Sequence, residues 1–119
     1  MTKEIVEKGW GREIIFASNE SYCGKILQFD KKGAKGSMHY HMKKDETFMV
    51  VSGSFLLRTI DSKTAAVSEQ EISNGHVVRV MPGYVHQLEA LEDGSQIFEV
   101  SSQDDPDDSY RVFPGDSQQ

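Results

Sequence analysis

Cysteine is almost missing from this 119-residue chain: Cys23 is the only one. No intrachain disulfide can form, so the fold must be held by its core, and a reducing compartment suits it. No cysteine signature surrounds Cys23, which leaves it as a small buried hydrophobe in a strand. Long apolar runs are missing too. None exceeds four residues, Phe48–Val51 being one such run, whereas a membrane-spanning helix needs about 20. No membrane partner is expected. The segment from Met1 to Lys8 alternates charged and apolar residues and lacks the apolar stretch of a secretory signal, so the expected location is cytoplasmic. Basic residues are outnumbered, 13 against 19 acids, for a net charge of -6. That balance lacks the positive footprint a nucleic-acid binder needs, and no nucleic acid is expected as a partner. Five of the acids lie beyond Ser102, where Arg111 is the single base, so the body of the chain is nearly neutral. Repeats of 20 to 50 residues and low-complexity tracts are absent as well.

What the sequence does contain is turns at short intervals. Asn19-Glu20, Lys31 to Gly36, Ser52-Gly53-Ser54, Asp61-Ser62-Lys63, Ser73-Asn74-Gly75, Pro82-Gly83 and Glu92-Asp93-Gly94 separate segments rich in β-branched and aromatic residues. Strands with turns about 8 to 12 residues apart mark an all-β sandwich or barrel. Only Ala65 to Glu71 has helical potential, and it is too short to build a helical layer. The length suits one domain. Residues 1–113 are expected to form it, with Tyr110, Val112 and Phe113 packing back on the body, and residues 114–119 to form a disordered tail.

The histidines carry the chemical signal. His39 and His41 are two apart in an expected strand, so both rings point to one face and Tyr40 to the other. Glu46 opens the next apolar segment and could return its carboxylate to the same place, while His86 follows the Pro82-Gly83 turn. A His-x-His pair alone says little. The larger pattern says more: Gly33-x5-His39-x-His41-x4-Glu46-x6-Gly53, followed by Gly75-x5-Met81-Pro82-Gly83-x2-His86, resembles the two signature motifs of the cupin superfamily. Two positions depart from it, Met81 standing for the usual proline and Ala90 for the terminal asparagine.

The resemblance implies a cupin-type jelly-roll β-barrel, with His39, His41, Glu46 and His86 binding a divalent ion inside it. Three imidazoles and a carboxylate suit Mn, Fe, Co, Ni or Zn. In an octahedral shell they leave two positions for water or substrate, as catalysis requires. His76 matches no ligand position.

A narrower likeness lies at both ends. Val6-Glu7-Lys8-Gly9-Trp10-Gly11-Arg12-Glu13, and Phe98-Glu99-Val100-Ser101 with Asp107-Asp108-Ser109-Tyr110-Arg111, are similar to segments that open and close the cupin domains of type II mannose-6-phosphate isomerases. This implies a sugar or sugar-phosphate isomerase-like enzyme whose small-molecule substrate is an anionic sugar. Arg111 would bind that substrate's phosphate or carboxylate, unless it pairs instead with Asp107 or Asp108. The general base stays open, with Glu99 and Tyr84 as candidates. A metal-dependent dioxygenase and a non-catalytic carbohydrate- or metal-binding module are the competing readings. Lys31, Lys32, Lys35, Lys43 and Lys44 flank the histidine strand and read as a solvated surface. The apolar N-terminal segment beside Trp10 points to a homodimer.

Overall fold

Buried and accessible residues alternate along the strands that build the core. In β5 (Glu46–Ser52) residues Glu46, Phe48 and Val50 are buried while Thr47 and Met49 are more exposed, and in β10 (Gln96–Ser101) Ile97, Glu99 and Ser101 are buried. This period of two is what a sheet with one face on a core dictates. The computed structural model describes residues 3–119. Beside β5 and β10, the strands are β1 (Glu4–Lys8), β2 (Gly11–Ser18), β3 (Cys23–Phe29), β4 (Met38–Tyr40), β6 (Ser54–Ile60), β7 (Val67–Ser73), β8 (Val77–Val80), β9 (Val85–Ala90) and β11 (Tyr110–Phe113).

They form two antiparallel sheets, one in the order β1-β2-β3-β10-β5-β8 and one in the order β11-β4-β9-β6-β7. Their inner faces meet in a core that includes Leu27, Phe29, Phe48, Val50 and Ile97 from the first sheet and Phe55, Leu57, Ile72, Leu88 and Ala90 from the second. Trp10 stacks on Phe29 with ring centroids 4.3 Å apart, and Phe29 meets Phe55 edge-on at 5.0 Å. Cys23 lies in β3 and is 1% exposed, as a structural cysteine should be. Gly53 turns the chain from β5 into β6 at φ 73°, and a Cβ there would collide with Ser95. Among the described residues no helix is long and apolar enough to cross a membrane.

The expectation for residues 114–119 is corrected, and two further segments are defined by their strand pairing. The segment Ala65 to Glu71 is not helical: Ala65 takes a left-handed conformation (φ 61°) and the chain then runs as β7, paired with β6 from Ser54↔Ser73 to Ile60↔Val67. That ladder supplies backbone hydrogen bonds that a helix of about two turns could not hold alone. Because β7 buries only Ile72, its sequence shows no alternation. Tyr110, Val112 and Phe113 dock through their backbone, as β11 against β4, while their side chains stay exposed. Residues 114–119 are not a loose tail either. Gly115 is buried, Asp116 exchanges hydrogen bonds with the backbone of Lys35, and Ser117 Oγ accepts the Gly9 N–H at 3.0 Å.

Phe55 has no exposed surface and sits where the two sheets meet. Phe55→Ala is expected to lower the free energy of unfolding by about 3–5 kcal/mol. Chemical denaturation should show this as a lower midpoint at unchanged slope; a loss below about 1 kcal/mol would mean the sheets do not close over this ring.

Candidate metal centre

His39 lies in β4 and His41 directly follows it, so the strand's alternation turns both rings inward and sends Tyr40 outward to stack on Tyr110 at 5.2 Å. Across the sheet, His39 stands in register with His86 of β9, and their ring centroids are 4.5 Å apart. The His41 ring lies 5.0 Å from His39 and 6.2 Å from His86. One nitrogen of each ring falls within 4.8 Å of the other two, so this trio could hold one metal ion. The spacing of His39 and His41 and the separate approach of His86 are as the sequence pattern implies. His76 is not in the group.

The rings are oriented by the backbone. Nδ1 of His39 meets the Ser37 carbonyl at 3.0 Å, Nδ1 of His41 the Asp108 carbonyl at 2.6 Å and Nδ1 of His86 the Tyr84 carbonyl at 2.9 Å. A carbonyl only accepts, so each Nδ1 carries the hydrogen, which leaves Nε2 as the nitrogen that can meet a metal. Burial, with His86 as a positively charging neighbour, lowers the His39 pKa to about 3. Burial, reinforced by His41, lowers that of His86 to about 4. Both rings are therefore neutral near pH 7 without any ion present.

Glu46 opens β5 and is 3% exposed. Its Oε1 lies 3.7 Å from His41 Nε2 and its Oε2 3.6 Å from His86 Nε2. Oε1 also meets Lys44 Nζ at 3.1 Å, whereas Oε2 has no hydrogen-bond partner among the described residues. A buried carboxylate oxygen left unpaired is costly, and the lone pair of the neutral His86 ring beside it repels it further. A cation placed among them removes both penalties. The donor set therefore fits a divalent metal.

Beneath the histidines lies a buried charge network that the sequence did not reveal. Lys44, expected on a solvated surface, is 5% exposed. Its Nζ is 3.1 Å from Glu46, 3.2 Å from Glu99 and 3.0 Å from Asp104. Burial alone would lower its pKa, but Glu99, Glu46 and Asp104 outweigh burial and raise it. Lys25, also 5% exposed, meets Asp104 at 3.2 Å and Glu13 at 3.7 Å. Burial, together with the charge of Glu46, raises the pKa of Glu99. Nothing in a Lys43-Lys44 pair within a polar loop marks the second as buried, because its burial depends on carboxylates from β5, β10 and the following segment.

Except for Asp104, these side chains border a cavity of about 210 Å³ that also reaches Trp10, Phe29 and Phe48. Arg111 lines its mouth, paired in register with His39, and forms no ion pair with Asp107 or Asp108 among the described residues. Glu99 lines the cavity; Tyr84 does not. Asp108 is 4% exposed. Its carboxylate accepts the N–H groups of Met42, Lys43 and Lys44 at 2.8, 3.0 and 3.1 Å.

The low pKa of His86 has a consequence for stability. Unfolding restores an ordinary value near 6.5, so between about pH 6.5 and 4 the unfolded chain binds the extra proton and acid favours unfolding. Metal-free protein is expected to lose on the order of 3 kcal/mol through this ring as pH falls from 6.5 to 4. Denaturation after chelation should show wild type losing more across that interval than His86→Gln. Equal losses would contradict the assignment.

The model of a family described as the polysaccharide biosynthesis C-terminal domain matches residues 8–106. No curated protein sequence matches the chain. Among solved structures, the capsular polysaccharide assembling protein CapF from Staphylococcus aureus is similar at a TM-score of 0.80 and 24% identity, over 94% of this chain and 34% of that one. KdgF from Halomonas sp. is similar at 0.73 and 23%, over 90% of each chain. Oxalate decarboxylase from Bacillus subtilis is similar at 0.78 and 20%, over 92% of this chain and 30% of that one. The chain thus spans about a third of the length of CapF. At these identities the likeness speaks for the fold, which is that of the cupins. Two β-sheets closed over an inward trio of histidines, together with a family match over most of its length, place this chain in the polysaccharide biosynthesis C-terminal domain family.

Proposed function

We propose that this protein is a divalent-metal-dependent enzyme that moves a proton between adjacent carbons of a carbonyl-bearing sugar or sugar phosphate, as an isomerase does. One observation carries the metal half of the reading: the unpartnered, buried Oε2 of Glu46 faces Nε2 of the neutral His86 ring. His39, His41, His86 and Glu46 would hold the ion. A bound divalent ion would supply Lewis-acid polarisation of a substrate carbonyl.

The remaining work falls to the chain's own side chains. Glu99 lines the cavity, and its raised pKa moves it toward the range useful for taking up and returning a proton near neutrality. Lys44 and Ser101 hold Glu99 Oε2 at 3.2 and 3.1 Å, which fixes its orientation. Arg111 at the mouth, together with Lys8, offers positive charge for a phosphate or carboxylate on the substrate. Phe48 and Leu88 present apolar wall on which water is poorly held. A carbohydrate substrate is supported by the family's description and by the likeness of the terminal segments to type II mannose-6-phosphate isomerases.

Elemental analysis of the purified protein is expected to find about one divalent ion per chain, and His39→Ala or His86→Ala to lower that content. Unchanged stoichiometry in both variants would remove these rings from the site. With aldose and ketose phosphates under nitrogen, turnover is expected to persist with Zn2+ bound. Dependence on oxygen would favour a dioxygenase, and thermal stabilisation by a sugar without turnover would favour a binding module. Glu99→Gln is expected to keep the ion and to lower turnover about 100-fold or more; full activity would exclude Glu99 as the proton carrier.

A further inference from the structure

The strand that presents the histidines is short and is held from both sides, with β9 also hydrogen-bonded to the residues that lead into it. β4 is only three residues long. It meets β9 at a single paired position, His39 with His86. With β11 it pairs at Tyr40↔Tyr110, His39↔Arg111 and Met38↔Phe113. One of the two supports of the histidine strand thus comes from residues that lie beyond the family match, which ends at residue 106.

β11 is not held by burial. All four of its residues are exposed, and Tyr110, Val112 and Phe113 keep 44, 43 and 56% of their surface accessible. A strand with so little apolar contact opens easily unless something else anchors it. Asp108, two residues before β11, supplies an anchor. Its carboxylate accepts N–H groups from Met42, Lys43 and Lys44, and its carbonyl accepts the Nδ1 hydrogen of His41 at 2.6 Å. One buried residue therefore sets the tautomer and orientation of an imidazole and also fixes the turn leading from that ring toward Lys44 and Glu46. Resting on the metal-binding reading above, we propose that Asp108 is a positioning residue of the metal centre, through which metal binding and docking of residues 105–113 stabilise each other.

The coupling is reciprocal: what docks this segment tightens the metal, and the metal must tighten the segment by the same free energy. The test uses the full chain, with Co2+ affinity measured in competition with a chromogenic chelator and amide hydrogen exchange followed with and without Co2+. Asp108→Ala is expected to bind Co2+ about 10- to 100-fold more weakly than wild type, and Asp108→Asn, which keeps one acceptor oxygen, to fall between. Asp107→Asn removes the same charge from an exposed neighbour and is expected to stay within about twofold of wild type. In wild type, Co2+ should slow exchange of the amides of residues 110–113 about tenfold or more, an effect that Asp108→Ala should lose.

Asp108→Ala binding within about twofold of wild type, or an Asp107→Asn loss equal to it, overturns the proposal. So does wild-type exchange over 110–113 that ignores Co2+, a measurement that decides the matter even where Asp108→Ala does not fold. Wild type that binds no Co2+ at all strikes the metal reading itself, which distinguishes the two failures.

Discussion

A carboxylate oxygen with no hydrogen-bond partner, buried against the neutral ring of His86, is the arrangement around which the interior of this protein is organised. Glu46 cannot relieve it by turning to solvent, because only 3% of its surface is accessible. Its other oxygen is already engaged by Lys44. The surrounding sheets hold these donors in place through strand register, so their convergence is built into the backbone pairing of β4 with β9 and the start of β5. This is preorganisation in its simple sense: folding itself gathers the donors.

The same economy extends to the charges beneath the histidines. Two buried ammonium groups, Lys25 and Lys44, sit among Glu13, Glu46, Glu99 and Asp104. Removing Lys44 would leave the buried carboxylates Glu46 and Glu99 without their compensating charge, which is why such networks hold together as units. The network keeps a second carboxylate, Glu99, next to the cavity and out of water. The outcome is a small site with an inner zone of fixed charge and donor atoms and a mouth bordered by Arg111 and the C-terminal turn.

Much of this is legible along the chain. Turn residues at regular intervals and short β-rich segments announce an all-β domain, and the paired sheets bear this out for β2, β3, β4, β5, β6, β8, β9 and β10. The trio of histidines could be assembled from spacing and family resemblance because a strand's period of two fixes which residues share a face. β7 was hidden for the opposite reason. With only Ile72 buried, its sequence carries no face preference, and its structure comes from a hairpin partner. The C-terminal turn was misjudged because its hold is made of backbone and side-chain hydrogen bonds to Lys35 and Gly9, contacts that leave no hydrophobic pattern.

The sequence by itself determined the fold class, the identity of the histidines and the face they share, since periodicity and motif spacing are local properties written along the chain. Only the tertiary structure decided which charges are buried. Lys43 and Lys44 are neighbours of identical type, as are Asp107 and Asp108, yet in each pair one is solvated and the other enclosed. That difference depends on carboxylates and amide groups arriving from segments 50 or more residues away in sequence, as in the contacts of Lys44 with Asp104 and of Asp108 with the 42–44 turn. Burial of a charge is a property of its partners, and partners are brought together by the fold alone.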